Sequence, residues 1–308
     1  MKTPSFWQKN NWLSRLLGPL AWIYGSVTQL RLKFCRPYRV KAKVICVGNI
    51  TAGGVGKTPI AQAVARHYLE QGKKVFFLTR GYKGHLKNVV VDLSKHTAYQ
   101  TGDEARLLAL IAPTIIAPNR AHGAEMAVQL GAEVIVMDDG FQNPSLFKDE
   151  SWLVFDGTKG LGNGHILPAG PLRETLANGQ KRATRIVIVG EDKTRLAEKC
   201  ALPVCFAKIE AEPLNLPSRR VFAFAGIGHP EKFYQTLRSC GYEVVKTRNF
   251  ADHYAYHQTD VEALKAEAAA AGLVLVTTEK DFVKIGDPDI YVLKIRAKLD
   301  DDVWAVER

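Results

Sequence analysis

The segment Gly48-Asn49-Ile50-Thr51-Ala52-Gly53-Gly54-Val55-Gly56-Lys57-Thr58-Pro59 constrains this chain more than any other stretch. The apolar run Val44-Ile45-Cys46-Val47 leads into it, and an Ala-rich stretch starting at Ile60 leads away. Strand, glycine loop, Lys-Thr and helix is the order that a phosphate cradle needs. Glycines let backbone N–H groups turn inward around an anion, and the following helix adds free N–H groups and the positive end of its dipole. Lys57 is expected to reach the outer phosphates and the Thr58 hydroxyl to hold Mg²⁺. The spacing therefore predicts a nucleoside triphosphate site on Thr51, Ala52, Gly53, Gly54, Val55, Gly56, Lys57 and Thr58. One position departs from the strict pattern G-x-x-x-x-G-K-[ST]. Thr51 stands where the first glycine belongs, so Gly53, Gly54 and Gly56 must carry the curvature.

Short apolar runs alternate with helical stretches along the rest of the chain. Val75–Leu78, Val89–Val91, Val134–Met137, Trp152–Phe155 and Arg185–Val189 read as strands. Ile60–Glu70, Asp103–Leu110 and Arg120–Leu130 read as helices, with Gln71-Gly72 as a stop. This alternation predicts an α/β fold of the P-loop NTPase type, with a doubly wound, mostly parallel sheet. Pro213 and Pro217 punctuate a linker over 213–220, after which the alternation restarts at Val221–Phe224. Four divisions follow: an amphipathic segment 1–43, a P-loop core 44–212, the linker, and a smaller α/β lobe 221–308. Ligands in such chains commonly sit in the cleft between lobes.

The first 43 residues set Trp7, Trp12, Leu16, Leu20, Trp22 and Ile23 among Lys2, Lys9, Arg15, Arg31, Lys33 and Arg36. Gly18 and Pro19 interrupt the longest apolar stretch, which is far short of the ~20 residues of a spanning helix. Two readings stay open: a helix lying in the headgroup layer of an anionic membrane, or one packed on the protein's own core with its basic ends in water. The net charge of +11 suits an anionic surface or a phosphorylated substrate. No zinc finger or other nucleic-acid signature accompanies it, so no nucleic-acid partner is expected. The five cysteines form no C-x-x-C pair, which points to reduced thiols rather than a disulfide scaffold.

Other groups carry candidate chemistry. Asp138-Asp139, ending an apolar strand, suits Mg²⁺, and the alternative is an ordinary Asp-Gly turn. Thr101 and Glu104 have capping-box spacing, while Asp103 between them suits a base taking a hydroxyl proton. Asp252-His253 could be a carboxylate-oriented histidine, His253 and His257 could share a helix face toward a metal, and a polar turn is the bland reading. The rigid loop Leu167–Glu174 can place Arg173 on phosphates and Glu174 on Mg²⁺. Thr277–Asp281 is either a second-lobe site or a helix start.

Taken in order, Gly53–Pro59, Arg80-Gly81-Tyr82, Gly102-Asp103-Glu104, Asp138–Gln142, Leu167–Glu174, Ala225–Gly228, Asp252-His253 and Thr277–Asp281 form a specific set. The chain resembles the tetraacyldisaccharide 4′-kinases, the lipid A 4′-kinases of Gram-negative bacteria, over nearly its whole length. The resemblance implies phosphoryl transfer from ATP, with Mg²⁺, to the 4′-hydroxyl of a lipid-linked glucosamine disaccharide. It implies a peripheral monomer on the cytoplasmic face of the inner membrane. It places the catalytic pair on Asp103 and His253, preceded by Asp252, with Lys57 on the phosphates. It places the Mg²⁺ carboxylates on Asp138, Asp139 and Glu174, beside Thr58. Ala105, Asn143 and Ala251 stand where the family often has Pro, His and Pro. The two catalytic groups fall in separate lobes, so they are expected to meet only on closure, with His253 raising the basicity of Asp103.

Two other classes compete. A partition-type switch ATPase shares the glycine loop, but Ala52 occupies the place of its signature lysine. A basic nucleic-acid-stimulated NTPase would show steep salt dependence. Neither explains the later motifs.

Overall fold

The computed structural model describes residues 4–300 and 303–304. Among the described residues, thirteen strands and ten α-helices follow the chain. The N-terminal helices are α1 (Trp12–Leu16) and α2 (Gly18–Phe34). The core then runs β1 (Lys43–Gly48), α3 (Lys57–Glu70), β2 (Val75–Thr79), β3 (Val89–Val90), α4 (Ala98–Thr101), α5 (Asp103–Ala109), β4 (Thr114–Ile116), α6 (Arg120–Gln129), β5 (Val134–Asp138), β6 (Glu150–Asp156), α7 (Leu176–Gln180), β7 (Arg185–Val189) and β8 (Val204–Ala211). The remainder is β9 (Arg220–Ala225), α8 (Pro230–Ser239), β10 (Glu243–Asn249), α9 (Gln258–Ala270), β11 (Val274–Thr278), α10 (Glu279–Ile285), β12 (Tyr291–Leu293) and β13 (Ile295–Leu299).

A nine-stranded sheet in the order β13-β8-β7-β6-β1-β5-β2-β4-β3 forms the large lobe. It is parallel except for β3 and β13, each antiparallel at an edge. Its inner strands are covered on both faces, which is why they read as unbroken apolar runs. In β1, Ile45 and Val47 join one core layer with Ile60, Val64 and Leu108, while Val44 and Cys46 join the other with Ala124 and Ala127. Each fully buried Ile, Leu or Val contributes about 1.5–3 kcal/mol. The smaller lobe is a four-stranded parallel sheet, β10-β9-β11-β12, with cores on both of its faces.

The topology corrects one boundary. β13, expected in the smaller lobe, pairs with β8 in the large sheet. Ala297, Leu299, Val303 and Trp304 pack in the large-lobe core. The smaller lobe thus ends near Leu293 and is an insertion, entered after β8 and left at Lys294, where the Glu212 N–H donates to the Lys294 carbonyl at 2.9 Å. The linker is not a loose tether either, because Leu214 and Leu216 pack against the smaller lobe's core.

The N-terminal segment packs one face on the protein and leaves the other exposed. Its small residues face inward: Ser14, Ala21 and Gly25 are buried, with Gly25 close against Ile166. Trp7 Nε1 donates to the Pro168 carbonyl at 3.1 Å, and Asn163 Nδ2 donates to Ser14 Oγ at 3.1 Å. Its large apolar residues face out, with Trp12 and Trp22 each 74% and Phe34 76% exposed. Among the described residues, no helix is long and apolar enough to cross a membrane.

Candidate functional site

β1 and β5 are parallel neighbours, with Val47 opposite Asp138. The glycine loop leaves the carboxyl end of one and Asp138-Asp139 ends the other, so loop and carboxylates meet at the C-terminal edge, where open α/β sheets bind ligands. α3 begins at Lys57 directly after Gly56. Thr58 Oγ1 donates to Asp138 Oδ2 at 3.0 Å. Lys57 Nζ lies 3.1 Å from Asn49 Oδ1 and 3.3 Å from Asp139 Oδ1, and Arg173 Nη1 lies 3.6 Å from the same Asp139 oxygen.

Thr51, the odd residue of the loop, is buried and bridges Leu172 in antiparallel fashion. Asn49 Nδ2 donates to its carbonyl at 2.6 Å and to its hydroxyl at 3.2 Å. The next residue, Ala52, donates its N–H to the Pro171 carbonyl at 2.7 Å. The first turn of this loop is thus held by strand-like pairing to the Leu167–Glu174 segment, which a β-branched residue suits better than glycine. Gly53 and Gly56 carry positive φ, Gly54 is in the loop between them, and Val55 packs into the core.

Asp138 is buried, and its carboxyl is pushed up to about 7 by burial first, then by the charges of Glu104 and Asp139, with Lys57 and Thr58 opposing. Its Oδ1 is buried without a hydrogen-bond partner among the described residues. An orphaned carboxylate oxygen beside a threonine hydroxyl fits a divalent cation. Asp139 behaves oppositely. Burial raises its carboxyl, but Lys57 and Arg173 outweigh that and hold it below the usual range. Its φ of 56° is left-handed, as is the φ of 64° at His253. Such backbone costs of order 1–3 kcal/mol and is found preferentially at functional sites. Glu174 is set apart from this pair: Gln142 Nε2 donates to its Oε1 at 3.2 Å and Arg182 pairs with its Oε2. No three His, Cys, Asp or Glu side chains among the described residues form a metal cluster by themselves. That accords with Mg²⁺ in nucleotide sites, which takes phosphates and waters for most of its ligands.

His253 and Asp103 meet. Nδ1 of the histidine is 2.9 Å from Asp103 Oδ2, across the two lobes. The expected pair is thus joined across the lobes. The expected direction of tuning is corrected. Burial raises the Asp103 carboxyl, but the His253 hydrogen bond and the charges of Lys284, His253 and Lys280 outweigh it, so the carboxyl sits below its ordinary value. An N–H donor stabilises the carboxylate rather than making it more basic. Asp252 Oδ1 lies 3.7 Å from His253 Nε2, and Lys280 Nζ lies 3.3 Å from that same nitrogen.

Local structure explains these placements. Asp103 starts α5 after Gly102, whose φ is 87° and where a Cβ would lie 2.4 Å from the Tyr82 carbonyl. Only glycine lets α4 turn into α5 this close to the Arg80-Gly81-Tyr82 loop. The capping box expected at Thr101 and Glu104 is instead formed by Thr97 and Gln100 on α4, and Thr101 donates to the Thr97 carbonyl. His257 caps α9 with Asp260, so it does not share a metal face with His253. Thr278 caps α10, which makes Thr277–Asp281 a helix start, with Asp281 buried beneath it.

Several site residues lay outside the sequence-level candidates. Asn49 and Gln142 stood in quoted motifs without a role, and Gln142 Nε2 donates to the Asn49 carbonyl at 2.8 Å. Arg120, at the start of α6, is buried with its Nε unpartnered among the described residues and senses the charges of Asp138 and Asp139. Nothing in the sequence marked it beyond a helix start.

Residues 13–306 match the family described as tetraacyldisaccharide-1-P 4′-kinase. The chain belongs to that family. The tetraacyldisaccharide 4′-kinase of Paramagnetospirillum magneticum is 46% identical over 92% of this chain and 90% of its own length. That of Rhodospirillum rubrum is 42% identical over 98% and 95%. The crystal structure of LpxK from Aquifex aeolicus, described as an "apo" form in complex with ATP, superposes with a TM-score of 0.80 at 28% identity, covering 94% of this chain and 96% of that one. Such full-length kinship supports the doubly wound P-loop fold and leaves no room for the switch-ATPase and nucleic-acid readings.

Proposed function

We propose that this chain transfers the γ-phosphate of ATP to the 4′-hydroxyl of a tetraacylated glucosamine disaccharide 1-phosphate, a step of lipid A biosynthesis, with Asp103 as the base. Its family makes it a phosphotransferase with an alcohol acceptor. The observation that carries the residue roles is the Asp103–His253 contact, which joins an acid of the nucleotide-binding lobe to the smaller lobe.

Phosphoryl transfer asks for positioning and charge neutralisation more than covalent work by the protein. Lys57 and the amides of Gly53–Thr58 would bind the phosphates, and Arg173 would share Asp139 with Lys57 and add positive charge. Asp103 would accept the 4′-hydroxyl proton as that oxygen bonds to the γ-phosphorus and the bond to ADP breaks. A loose transition state asks little of the base, so a carboxylate held below its ordinary value suffices. His253 would donate through Nδ1 to fix that carboxylate, with Asp252 beside its other nitrogen. Mg²⁺, when bound, neutralises phosphate charge. Thr58 and Asp138 would hold it, with Asp139 beside them, and Glu174 would have to share oxygens already committed to Gln142 and Arg182.

The outward apolar residues of α1 and α2 would rest in the headgroup layer of the cytoplasmic leaflet, with Arg31, Lys33 and Arg36 on anionic lipid. A single chain would then present the cleft to a substrate still in the bilayer. The test is to incubate the purified chain with labelled ATP, Mg²⁺ and detergent-dispersed disaccharide lipid. Label on the lipid is the expected result. Label found only in ATP or free phosphate would overturn the reading.

A further inference from the structure

Lys284 lies outside every sequence motif, and the chemistry above gives it no part. Arg106 of α5 lays α10 against the large lobe, its Nε donating to the Val283 carbonyl at 3.0 Å. The next side chain, Lys284, is only 5% exposed. Its Nζ is 2.7 Å from Asp281 Oδ1 and 3.9 Å from Asp103 Oδ2, and the Tyr256 ring lies 5.0 Å away. No hydrogen bond of ordinary geometry satisfies this ammonium among the described residues. A buried cation is costly unless anions compensate it, and here two carboxylates from different lobes do so. Asp281 is the fixed one. Its Oδ2 accepts the Gly226 N–H at 2.9 Å and the Thr278 hydroxyl at 2.8 Å.

We propose that Lys284 is a positioning residue for the transfer step, through which the smaller lobe, anchored on Asp281, holds the Asp103 carboxylate charged and fixed beside His253. This rests on the reading of Asp103 as base. The charged groups acting on Asp103 are His253, Lys284 and Lys280 from the smaller lobe; on its own helix, Glu104 is its neighbour and Arg106 is turned to the Val283 and His96 carbonyls. Of the two lysines, Lys284 approaches within 4 Å of the carboxylate itself, whereas Lys280 sits against Asp252 and the far nitrogen of His253. Removing Lys284 leaves Asp103 with less positive charge around it, so its affinity for a proton rises.

Lys284→Met alone would strand the buried Asp281 charge and confuse folding with function. The decisive variant is Lys284→Met with Asp281→Asn, which deletes one cation and one anion together. Thermal unfolding and ATP binding confirm that it is folded. The expected result is a kcat lowered about tenfold and an acid limb of the pH–rate profile moved up by a fraction of a pH unit, the lost Asp281 charge offsetting part of the lost Lys284 charge, with the KM for ATP unchanged. Lys284→Arg, which keeps the charge, is expected to leave the acid limb in place. A folded double variant with normal kcat and an unmoved acid limb would overturn the proposal, as would Lys284→Arg behaving like the double variant. Asp103→Asn in the same assay separates the two levels. Retained turnover there would remove Asp103 as base and this proposal with it. Lost turnover there, with a normal double variant, would remove only the role of Lys284.

Discussion

His253 Nδ1 and Asp103 Oδ2 stand 2.9 Å apart, although the residues are separated by 150 positions and belong to different lobes. Each is at an odd place in the backbone, Asp103 just past a left-handed glycine and His253 itself at a φ of 64°.

Asp103→Asn keeps shape and removes the acceptor. It is expected to lower kcat by about 10²–10⁴ while ATP affinity, measured by calorimetry, stays near normal. His253→Ala is expected to cost less, because it loosens the base without deleting it. Equal and complete loss in both would show that the histidine itself takes the proton.

Lys57→Ala deletes a cation that touches Asn49 and Asp139. We expect turnover to fall by at least about 10²–10³, the cost of losing one preorganised charge at a transferring phosphoryl group. The Asp139 carboxyl should rise in the same variant, since Lys57 is the charge that most lowers it. Carboxylate NMR of the ligand-free protein reads that shift.

Asp138 opposes stability at neutral pH. Its carboxyl is raised from 3.8 to about 7, so the folded protein keeps a proton there that the unfolded chain gives up. The contribution is present below about pH 4 and is lost as pH rises through 7. Asp138→Asn should therefore raise the melting temperature of the nucleotide-free protein most at pH 8, less at pH 5 and little below pH 4. It should also remove Mg²⁺-dependent turnover. A melting temperature unaltered at pH 8 would contradict the burial argument.

Gly48 ends β1 where a Cβ would lie 2.5 Å from the Cβ of Phe141. Phe141 is fully buried, so it has nowhere to go. Gly48→Ala should destabilise by about 1–3 kcal/mol in urea titration, the usual range for overpacking. It should also weaken nucleotide binding, because the loop starts one residue later.

Trp22→Ser with Phe34→Ser removes two of the most exposed apolar side chains on α2. Co-sedimentation with anionic vesicles should drop while activity on a detergent-dispersed substrate persists. Unchanged sedimentation would leave the outward face without a membrane role.

Much of this site was legible because its signals are local. The glycine loop, the Asp138-Asp139 strand end and α6, which spans Arg120–Gln129 where Arg120–Leu130 reads as a helix, need only neighbours in the chain. β4 escaped notice because three residues make too short a pattern. β8 escaped because Lys208 and Glu210 leave it half exposed. β13 alternates visibly as Ile295-Arg296-Ala297-Lys298-Leu299, but nothing local says that its partner is a strand more than 80 residues back. The setting of Arg120 and Lys284 was hidden for the same reason: Arg120 senses Asp138 and Asp139 at the end of β5, and Lys284 reaches Asp103 of the other lobe besides the local Asp281.

The return of β13 to the large sheet has a mechanical result. Both ends of the smaller lobe are fastened at one spot, where Glu212 and Lys294 lie side by side. A flap with both straps sewn to the same seam can swing about that seam but cannot drift away from it. Any swing carries His253 and Lys284 toward or away from Asp103 together, so the two would arrive as a unit.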